Sequence, residues 1–110
     1  MTIYEQLLAI FEQNDDRIYT TGEIKSRLAR RFKTNPSSVI PSDYCYNRWN
    51  HGVKEQPPIL LWVRTGEYRF IGPDQPWNGE VWGRPFGTSG DRVIGECVNG
   101  VRKLYPLEAE

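Results

Sequence analysis

The spacing of the apolar residues changes at Pro57-Pro58, and this change constrains the fold of the chain most strongly. Before it, apolar side chains recur at intervals that are typical of one face of an α-helix. After it, short runs rich in β-branched and aromatic residues are separated by turn residues, which is typical of antiparallel strands. The 110 residues fall within the usual size of one domain. We therefore expect a single α+β domain whose helices precede its strands.

Two amphipathic helices are predicted in the first third of the chain. Apolar residues at helical spacing predict a first helix over about residues 2–13. Thr20 and Glu23 have the spacing of a capping box, in which each side chain bonds the backbone N–H of the other residue. This pattern predicts a second helix over about residues 21–33, and the short apolar piece before it is expected to be extended.

A third helix is predicted after a short irregular segment. Asn35 is a candidate cap, and Pro36 is tolerated at a first helical position. Because Pro41 would break a helix from within, we interpret residues 37–40 as an irregular turn and residues 41–49 as the third helix. The polar and glycine residues that follow would end this helix.

A first β-hairpin is predicted directly after the change of spacing. Residues 59–63 and 68–71 are β-rich runs, and the four residues 64–67 between them are a hairpin signal. The segment that follows is rich in glycine and proline. Within it, residues 80–82 are expected to form a short strand.

A second β-hairpin is predicted near the C-terminus. Residues 93–98 and 101–105 flank Asn99-Gly100, a pair that favours the type I′ turn of a two-residue hairpin. This register sets Glu96 opposite Lys103, and an opposite-charge pair across two strands supports it.

The order of helix, extended piece, basic helix, turn, helix and hairpin predicts a winged helix-turn-helix domain. In that fold the third helix enters the major groove of DNA, and the hairpin acts as a wing that contacts the backbone or the minor groove. The predicted parts are a helical part over residues 1–56, the wing hairpin over residues 57–72, and a loop with the C-terminal hairpin over residues 73–110. The last hairpin is expected to extend the β layer.

Residues 41–48, Pro-Ser-Asp-Tyr-Cys-Tyr-Asn-Arg, and the turn at residues 50–52 resemble a signature of a small uncharacterised bacterial family. Residues 68–72 and 77–79 are similar to the same family, so the resemblance covers about residues 18–105. Its members are winged-helix modules, some of them fused to restriction-type nucleases such as HNH enzymes. The resemblance implies a DNA-targeting or modified-base-sensing role in bacteria or phages, associated with restriction or defence, without a nuclease part in this chain.

The charge of the chain is neutral overall but uneven along its length. Fourteen basic residues balance fourteen acidic ones, which argues against nucleic acid, because phosphate binding usually appears as a basic excess. From Arg17 to Lys54, however, there are eight cations and two anions. Because the local field decides where a polyanion docks, this window predicts a DNA-binding surface. A solvated helix face is the alternative interpretation.

The candidate DNA contacts lie in this basic window and at the tip of the predicted wing. Serine hydroxyls and free N–H groups at the start of the third helix suit phosphate oxygens. Asn47 and Arg48 suit the edges of adenine and guanine, and Tyr44 lies beside them. Capping is the alternative role for Ser42, and a place in the core is the alternative for the aromatic residues. The full set is Arg30, Arg31, Lys33, Ser37, Ser38, Ser42, Tyr44, Asn47, Arg48, Lys54 and Arg64.

Trp77, Trp82 and Phe86 lie in the segment rich in glycine and proline. The two tryptophans are candidates for stacking on a flipped or methylated base, with Phe86 as a third wall. The alternative, which we favour, is that all three pack an irregular segment against the sheet.

Catalysis, a metal site and a cofactor are not expected. The single histidine, His51, lies in a turn predicted to be exposed, and Cys45 and Cys97 form no ligand pair, so both are expected to be free thiols. No nucleotide-binding or zinc-protease motif is present. Because no stretch has the length of a membrane span and no signal-peptide pattern is present, we expect a cytoplasmic protein.

The sequence therefore predicts non-catalytic binding of duplex DNA, with sequence or a modified base as what is recognised. The main alternative is a protein-interaction or adaptor module on the same scaffold. RNA binding is a third alternative, although no RNP-type aromatic strand motif is visible. A monomer or weak homodimer is expected, because no additional dimerisation helix is apparent. If the predicted cations share one face, DNA is favoured. If acidic residues interrupt that face, or aromatic side chains are exposed on it, a protein partner is favoured.

Overall fold

The computed structural model describes residues 1–12, 16–85 and 89–106. Two 3₁₀ turns, Pro36–Ser38 and Pro41–Tyr44, separate the helical segment from most of the strands. In chain order the helices and strands are α1 (Ile3–Ile10), β1 (Ile18–Thr20), α2 (Thr21–Phe32), β2 (Leu60–Arg64), β3 (Glu67–Phe70), β4 (Gly79–Gly83), β5 (Arg92–Val98) and β6 (Val101–Leu104). Two antiparallel sheets are present in this described part, one in the strand order β1-β3-β2 and one in the order β4-β5-β6.

Both α-helices begin with a capping box, formed by Thr2 with Glu5 in α1 and by Thr20 with Glu23 in α2. The Thr20 hydroxyl accepts from the Glu23 N–H at 3.1 Å, and the Thr20 N–H donates to the Glu23 carboxylate at 3.1 Å. These bonds satisfy N–H groups that no helical carbonyl can reach. The predicted start of the second helix is confirmed. The first helix ends at Ile10, earlier than predicted, and Gln13, its predicted last residue, lies outside the described residues.

The third predicted helix is not formed, so the prediction of a winged helix-turn-helix is wrong. Residues 41–44 make one 3₁₀ turn, and beyond it Cys45 is bridged to Leu60 and Arg48 to Trp82, with a turn at residues 46–47 between the two bridges. β2 and β4 supply backbone hydrogen-bond partners that a helix would not use, and these partners stabilise the observed conformation. The described residues thus form two α-helices and six strands in a strand-rich α+β fold.

The non-helical segment found in place of the third helix joins the two sheets, and we call residues 45–49 the connector. On one side the Tyr46 N–H donates to the Leu60 carbonyl of β2 at 2.9 Å. On the other side the Trp49 N–H donates to the Trp82 carbonyl of β4, also at 2.9 Å. The connector is therefore hydrogen-bonded to both sheets along its own backbone.

The first predicted hairpin is present, but it does not project as a wing. Its loop is Thr65-Gly66, two residues rather than the predicted four, and β3 is the central strand of its sheet. The tip lies against the beginning of α2, where the Thr21 N–H donates to the Gly66 carbonyl at 2.9 Å. The predicted extended piece before α2 is β1, which pairs with β3.

The C-terminal hairpin is confirmed in its register, with Glu96 opposite Lys103. Asn99 and Gly100 form its turn with φ values of 50° and 81°, which Asn and Gly adopt most easily. The predicted short strand is also confirmed as β4. The expectation that this hairpin extends the first β layer is wrong, because β4, β5 and β6 form a second sheet.

Two groups of buried side chains fill the molecule. The side chain of Cys45 belongs to the first and that of Tyr46 to the second, so the connector contributes to both cores. The first core contains Leu7, Phe11, Tyr19, Ile24, Leu28, Val39, Tyr44, Cys45, Ile59, Leu60 and Tyr68. The second core contains Tyr46, Val81 and Cys97, with Trp49, Leu61, Ile71, Trp77, Ile94 and Leu104 packed against it. Cys45 and Cys97 are free thiols, and burial raises the pKa of both.

The side chain of Arg102, in β6, links the second sheet to the connector by hydrogen bonds. This side chain is only 2% exposed. The guanidinium donates to the carbonyls of Cys45 at 2.9 Å and Gln56 at 2.6 Å, and it lies 5.0 Å from the ring centre of Trp49. Burial, which disfavours the charged form, lowers the pKa of Arg102, whereas nearby Glu55 raises it. The sequence pattern gave no indication of this role.

Candidate nucleic-acid interface

The outer side of α2 carries the highest concentration of predicted DNA contacts. Ile24 and Leu28 are fully buried and fix the inner side of the helix. The remaining faces and the C-cap carry five cations, of which Lys25 lies nearest the N-terminal end, and we call the other four the α2 basic face, namely Arg27, Arg30, Arg31 and Lys33. Because residues three and four apart are neighbours on a helix, the first three of these cations lie side by side.

Two of the four cations are held in place by neighbouring groups. The Arg27 guanidinium lies 4.9 Å from the ring centre of Tyr19. The Arg31 guanidinium donates to the Ala9 carbonyl at 3.0 Å and lies 5.2 Å from the ring centre of Phe32. These contacts keep both charges but restrict their rotamers, so a ligand that binds there loses less side-chain entropy.

The other two cations, Arg30 and Lys33, are exposed and have no ion-pair partner among the described residues. Arg30 lies between two shallow depressions of about 270 and 460 Å³, both of which it lines together with Arg27. The acidic residue nearest to them in α2 is Glu23, whose carboxylate is paired with Arg17 at 2.8 Å. Most of the positive charge of this face therefore remains uncompensated.

The chain that leaves α2 adds hydroxyl groups to the same end of the helix. Lys33 closes α2 in the left-handed conformation, with φ 57°. Asn35 then caps the next turn, as predicted, by accepting from the backbone N–H of Ser37 at 3.0 Å and from its hydroxyl at 2.9 Å. Ser37 and Ser38 are both exposed. The fold thus brings together five predicted contacts, Arg30, Arg31, Lys33, Ser37 and Ser38, although no helix begins at the serines.

Ser42, Tyr44 and Lys54 do not join this surface. The Ser42 hydroxyl accepts from the Asn50 side chain at 2.8 Å, and Tyr44 is buried in the first core. Lys54 is exposed, but it lines a small depression together with Asp43 and Trp49, away from α2 in the chain. The alternative roles of local bonding and core packing therefore apply to Ser42 and Tyr44.

The side-chain amide of Asn47 bonds the backbone of β2 through both its nitrogen and its oxygen. Its amide nitrogen donates to the Trp62 carbonyl at 2.8 Å, and its amide oxygen accepts from the Trp62 N–H at 2.8 Å. The side chain thus acts as a strand partner for one residue. The same donor and acceptor would be needed for a bidentate contact with adenine.

The side chain of Arg48 is also bonded within the protein. Its guanidinium donates to the Asp91 carboxylate at 2.7 Å and lies 4.8 Å from the ring centre of Trp62, and its side chain is 13% exposed. The bond from Arg48 lowers the pKa of Asp91 below its usual range. The pair joins the connector to the segment before β5, so it contributes to the contact between the two sheets.

Arg64 is exposed at the end of β2, with its Nε 3.6 Å from the Glu67 carboxylate. The hairpin tip lies at the N-terminal end of α2, whereas Lys33 lies at the other end. An α-helix of twelve residues is about 18 Å long, so Arg64 is well separated from the basic end of α2.

The two tryptophans proposed for base stacking pack within the protein. Trp77 packs against the second core and covers Gly79, where a Cβ atom would meet the indole at 2.5 Å. The Trp82 ring lies 6.3 Å from that of Trp62, with the two planes tilted by 45°. These contacts favour the packing role for both side chains. Phe86 lies outside the described residues.

Arg27 was not among the predicted contacts, although its spacing of three and four residues from Arg30 and Arg31 was a signal for it. His51, predicted to be exposed, is only partly exposed in its turn. Within the described ranges, no group of three or more His, Cys, Asp or Glu side chains could hold a metal ion. Neither α1 nor α2 has the length and apolar character that a membrane-crossing helix requires.

Comparison with known proteins assigns the chain to a family. Residues 2–104 match the family described as Domain of unknown function (DUF7225). The chain belongs to this family. It is 33% identical over 104 residues to the Uncharacterized protein YnaC of Bacillus subtilis (strain 168), a match that covers 94% of this chain and 40% of that protein. The chain therefore spans less than half the length of this relative. No solved structure matches the chain.

Proposed function

We propose that this chain binds duplex DNA without catalysing a reaction, and that it does so through the α2 basic face. The observation that carries the proposal is the exposure of Arg30 and Lys33 without ion-pair partners in the described part of the chain. Arg27 and Arg31 flank them, held by Tyr19 and by the Ala9 carbonyl. Such an arrangement suits a row of phosphates better than a single acidic side chain.

The main contribution to affinity would come from the phosphates. Each phosphate that a cation neutralises releases a condensed counter-ion, so the logarithm of the binding constant falls by about 0.9 per contact for each tenfold rise in salt. Four cations would give a slope of about −3 to −4. The exposed hydroxyls of Ser37 and Ser38 would add hydrogen bonds at the same end of α2.

Recognition of sequence or of a modified base remains part of the proposal, but Tyr44, Asn47 and Arg48 are not assigned to it. Their side chains are buried or bonded within the protein. A role in restriction or defence also remains a prediction.

A protein-interaction module is the second candidate function. Ile40, next to the serine turn, is 48% exposed, and an aliphatic side chain beside a cationic helix suits a protein surface. The neutral net charge of the chain agrees with this alternative. The two candidates differ in how strongly their binding depends on salt.

Fluorescence anisotropy with short duplexes tests the proposal. Unmodified, adenine-methylated and cytosine-methylated duplexes are titrated with the chain at two salt concentrations. Arg30→Ala should weaken binding to all three duplexes several-fold and reduce the salt slope by about 1. Arg92→Ala removes an exposed arginine from the start of β5 and should leave binding unchanged. Equal losses for the two variants, or no binding at low salt, would refute the α2 site and favour a protein partner.

A further inference from the structure

A cleft of about 260 Å³ lies on a part of the molecule that the α2 basic face does not include. Its walls come from α1, from the Pro57-Pro58 segment, from the loop before β4 and from the turn between β5 and β6. Tyrosine and proline rings make up much of the lining. Among the described residues that line the cleft, Asp74 is the only one charged at neutral pH, and its charge is negative.

The loop that carries Asp74 is fixed on both sides. The Tyr46 hydroxyl donates to the Gly72 carbonyl at 2.7 Å and accepts from the Gln75 N–H at 3.0 Å. The hairpin turn closes against the same loop, because a Cβ atom on Gly100 would collide with the Gln75 carbonyl oxygen. The walls are therefore set before any ligand arrives, which lowers the entropic cost of binding.

Asp74 itself is held in a backbone conformation that few non-glycine residues adopt, with φ 55°. Its carboxylate is exposed and has no hydrogen bond or ion pair among the described residues. Burial first, and then the negative charge of Asp74, raise the pKa of the Tyr4 hydroxyl. The same charge contributes to the raised pKa of Tyr46, after burial. The carboxylate thus acts on both phenols of the cleft.

We propose that this cleft binds an aliphatic organic cation, whose ammonium or guanidinium group pairs with Asp74. The proline rings and the Tyr4 ring would cover the aliphatic stem, and an aromatic face adds attraction for a cation. The negative charge disfavours phosphates and carboxylates. The volume is slightly below that of pockets for drug-sized ligands, so it suits one chain end rather than a large molecule. A lysine or arginine side chain of a protein and a free polyamine share this chemistry.

NMR titration of the full chain, with backbone amide shifts as the readout, tests the proposal. The probes are the N-acetyl methylamides of lysine and arginine, spermidine, and N-acetyl-glutamate methylamide as the anionic control. The basic probes should cause saturable shifts of the Gln75, Asn99 and Gly100 amides, and the acidic probe should not. Tighter binding of the amino-acid derivatives than of spermidine would identify a side chain as the ligand, and the reverse order would identify a polyamine.

Two matched substitutions complete the test. Asp74→Asn removes the charge and keeps a residue that tolerates positive φ, so it should fold and lose at least tenfold in affinity for the basic probes. Glu80→Gln removes the same charge on β4, outside the lining, and should bind as the parent does. Unchanged binding by Asp74→Asn, similar shifts with the acidic probe, or no saturable shift with any basic probe would overturn the proposal. None of these outcomes depends on whether α2 binds DNA.

Discussion

The two halves of the molecule, the first sheet with the two helices and the second sheet, are stabilised in different ways. Among the described residues, the first core has eleven buried side chains, drawn from both helices and the first sheet, whereas the second core has three. The second sheet depends instead on polar links to the connector, through Arg102 and the Arg48–Asp91 pair. The comparison teaches that a small strand layer can be held by a few buried hydrogen bonds where apolar burial is limited. It also predicts that the halves respond differently to substitution.

The largest expected effect is in the first core. Leu28→Ala removes a fully buried side chain from α2 and should lower the free energy of unfolding by about 2–5 kcal/mol. Both halves should unfold together, because the connector is bonded to both sheets. Chemical denaturation followed by tryptophan fluorescence and far-UV circular dichroism measures this. Survival of a folded second sheet after the first core has melted would contradict the expected coupling.

The next effect should be concentrated in the second half. Arg102→Met keeps much of the stem but leaves the carbonyls of Cys45 and Gln56 without their buried donor, at an expected cost of about 2–3 kcal/mol. Hydrogen exchange should increase in β4, β5 and β6 more than in α2. Lys103→Met is the matched control, since this neighbour is exposed. A uniform increase in hydrogen exchange across both halves would show that the Arg102 bonds do not stabilise the second sheet in particular.

A smaller effect is expected at the connector. Asn47→Ala removes both hydrogen bonds to the Trp62 backbone and should lower the free energy of unfolding by about 1–2 kcal/mol. Discrimination among the three duplexes should not change under conditions where the variant is folded. Thermal denaturation and the anisotropy assay measure the two properties. Lost discrimination with unchanged stability would return Asn47 to a base-reading role.

The smallest effect is expected from the Arg48–Asp91 pair, and it depends on pH. Since the pKa of Asp91 is lowered in the folded chain, the stability it adds is present above its unfolded value and is lost as pH falls below about 4. Asp91→Asn should cost less than about 1 kcal/mol at neutral pH and flatten the fall in melting temperature between pH 5 and pH 3. An unchanged acid profile would show that the pair adds nothing.

Prediction from sequence succeeded where local signals were sufficient. The capping box at Thr20 and Glu23 places the start of α2, and Asn99-Gly100 places the C-terminal turn with its register. Each signal acts within a few residues, so no knowledge of distant partners was needed. The candidate site was predicted in part, because Arg30, Arg31 and Lys33 belong to a helix that these local signals define.

The prediction failed for residues 41–49, whose conformation depends on distant strands. Pro41 is compatible with the start of either an α-helix or a 3₁₀ turn. The observed conformation, two bridges with a turn between them, is stabilised by hydrogen bonds to β2 and β4, which lie further along the chain. The roles assigned to Asn47 and Arg48 depended on this helix, so both lost their structural basis when the segment proved not to be helical.

The sequence by itself therefore determined the capped helix α2 with its cations, both hairpins and the neutral total charge, because short-range bonding and spacing specify them. Only the tertiary structure decided the division into two sheets, the use of the connector between them and the burial of Arg102. It also decided which charges stay available, leaving Arg30 and Asp74 without partners in the described part of the chain while pairing Arg48 with Asp91. The physical reason is that backbone hydrogen bonds and ion pairs between distant segments form only when packing brings their partners together.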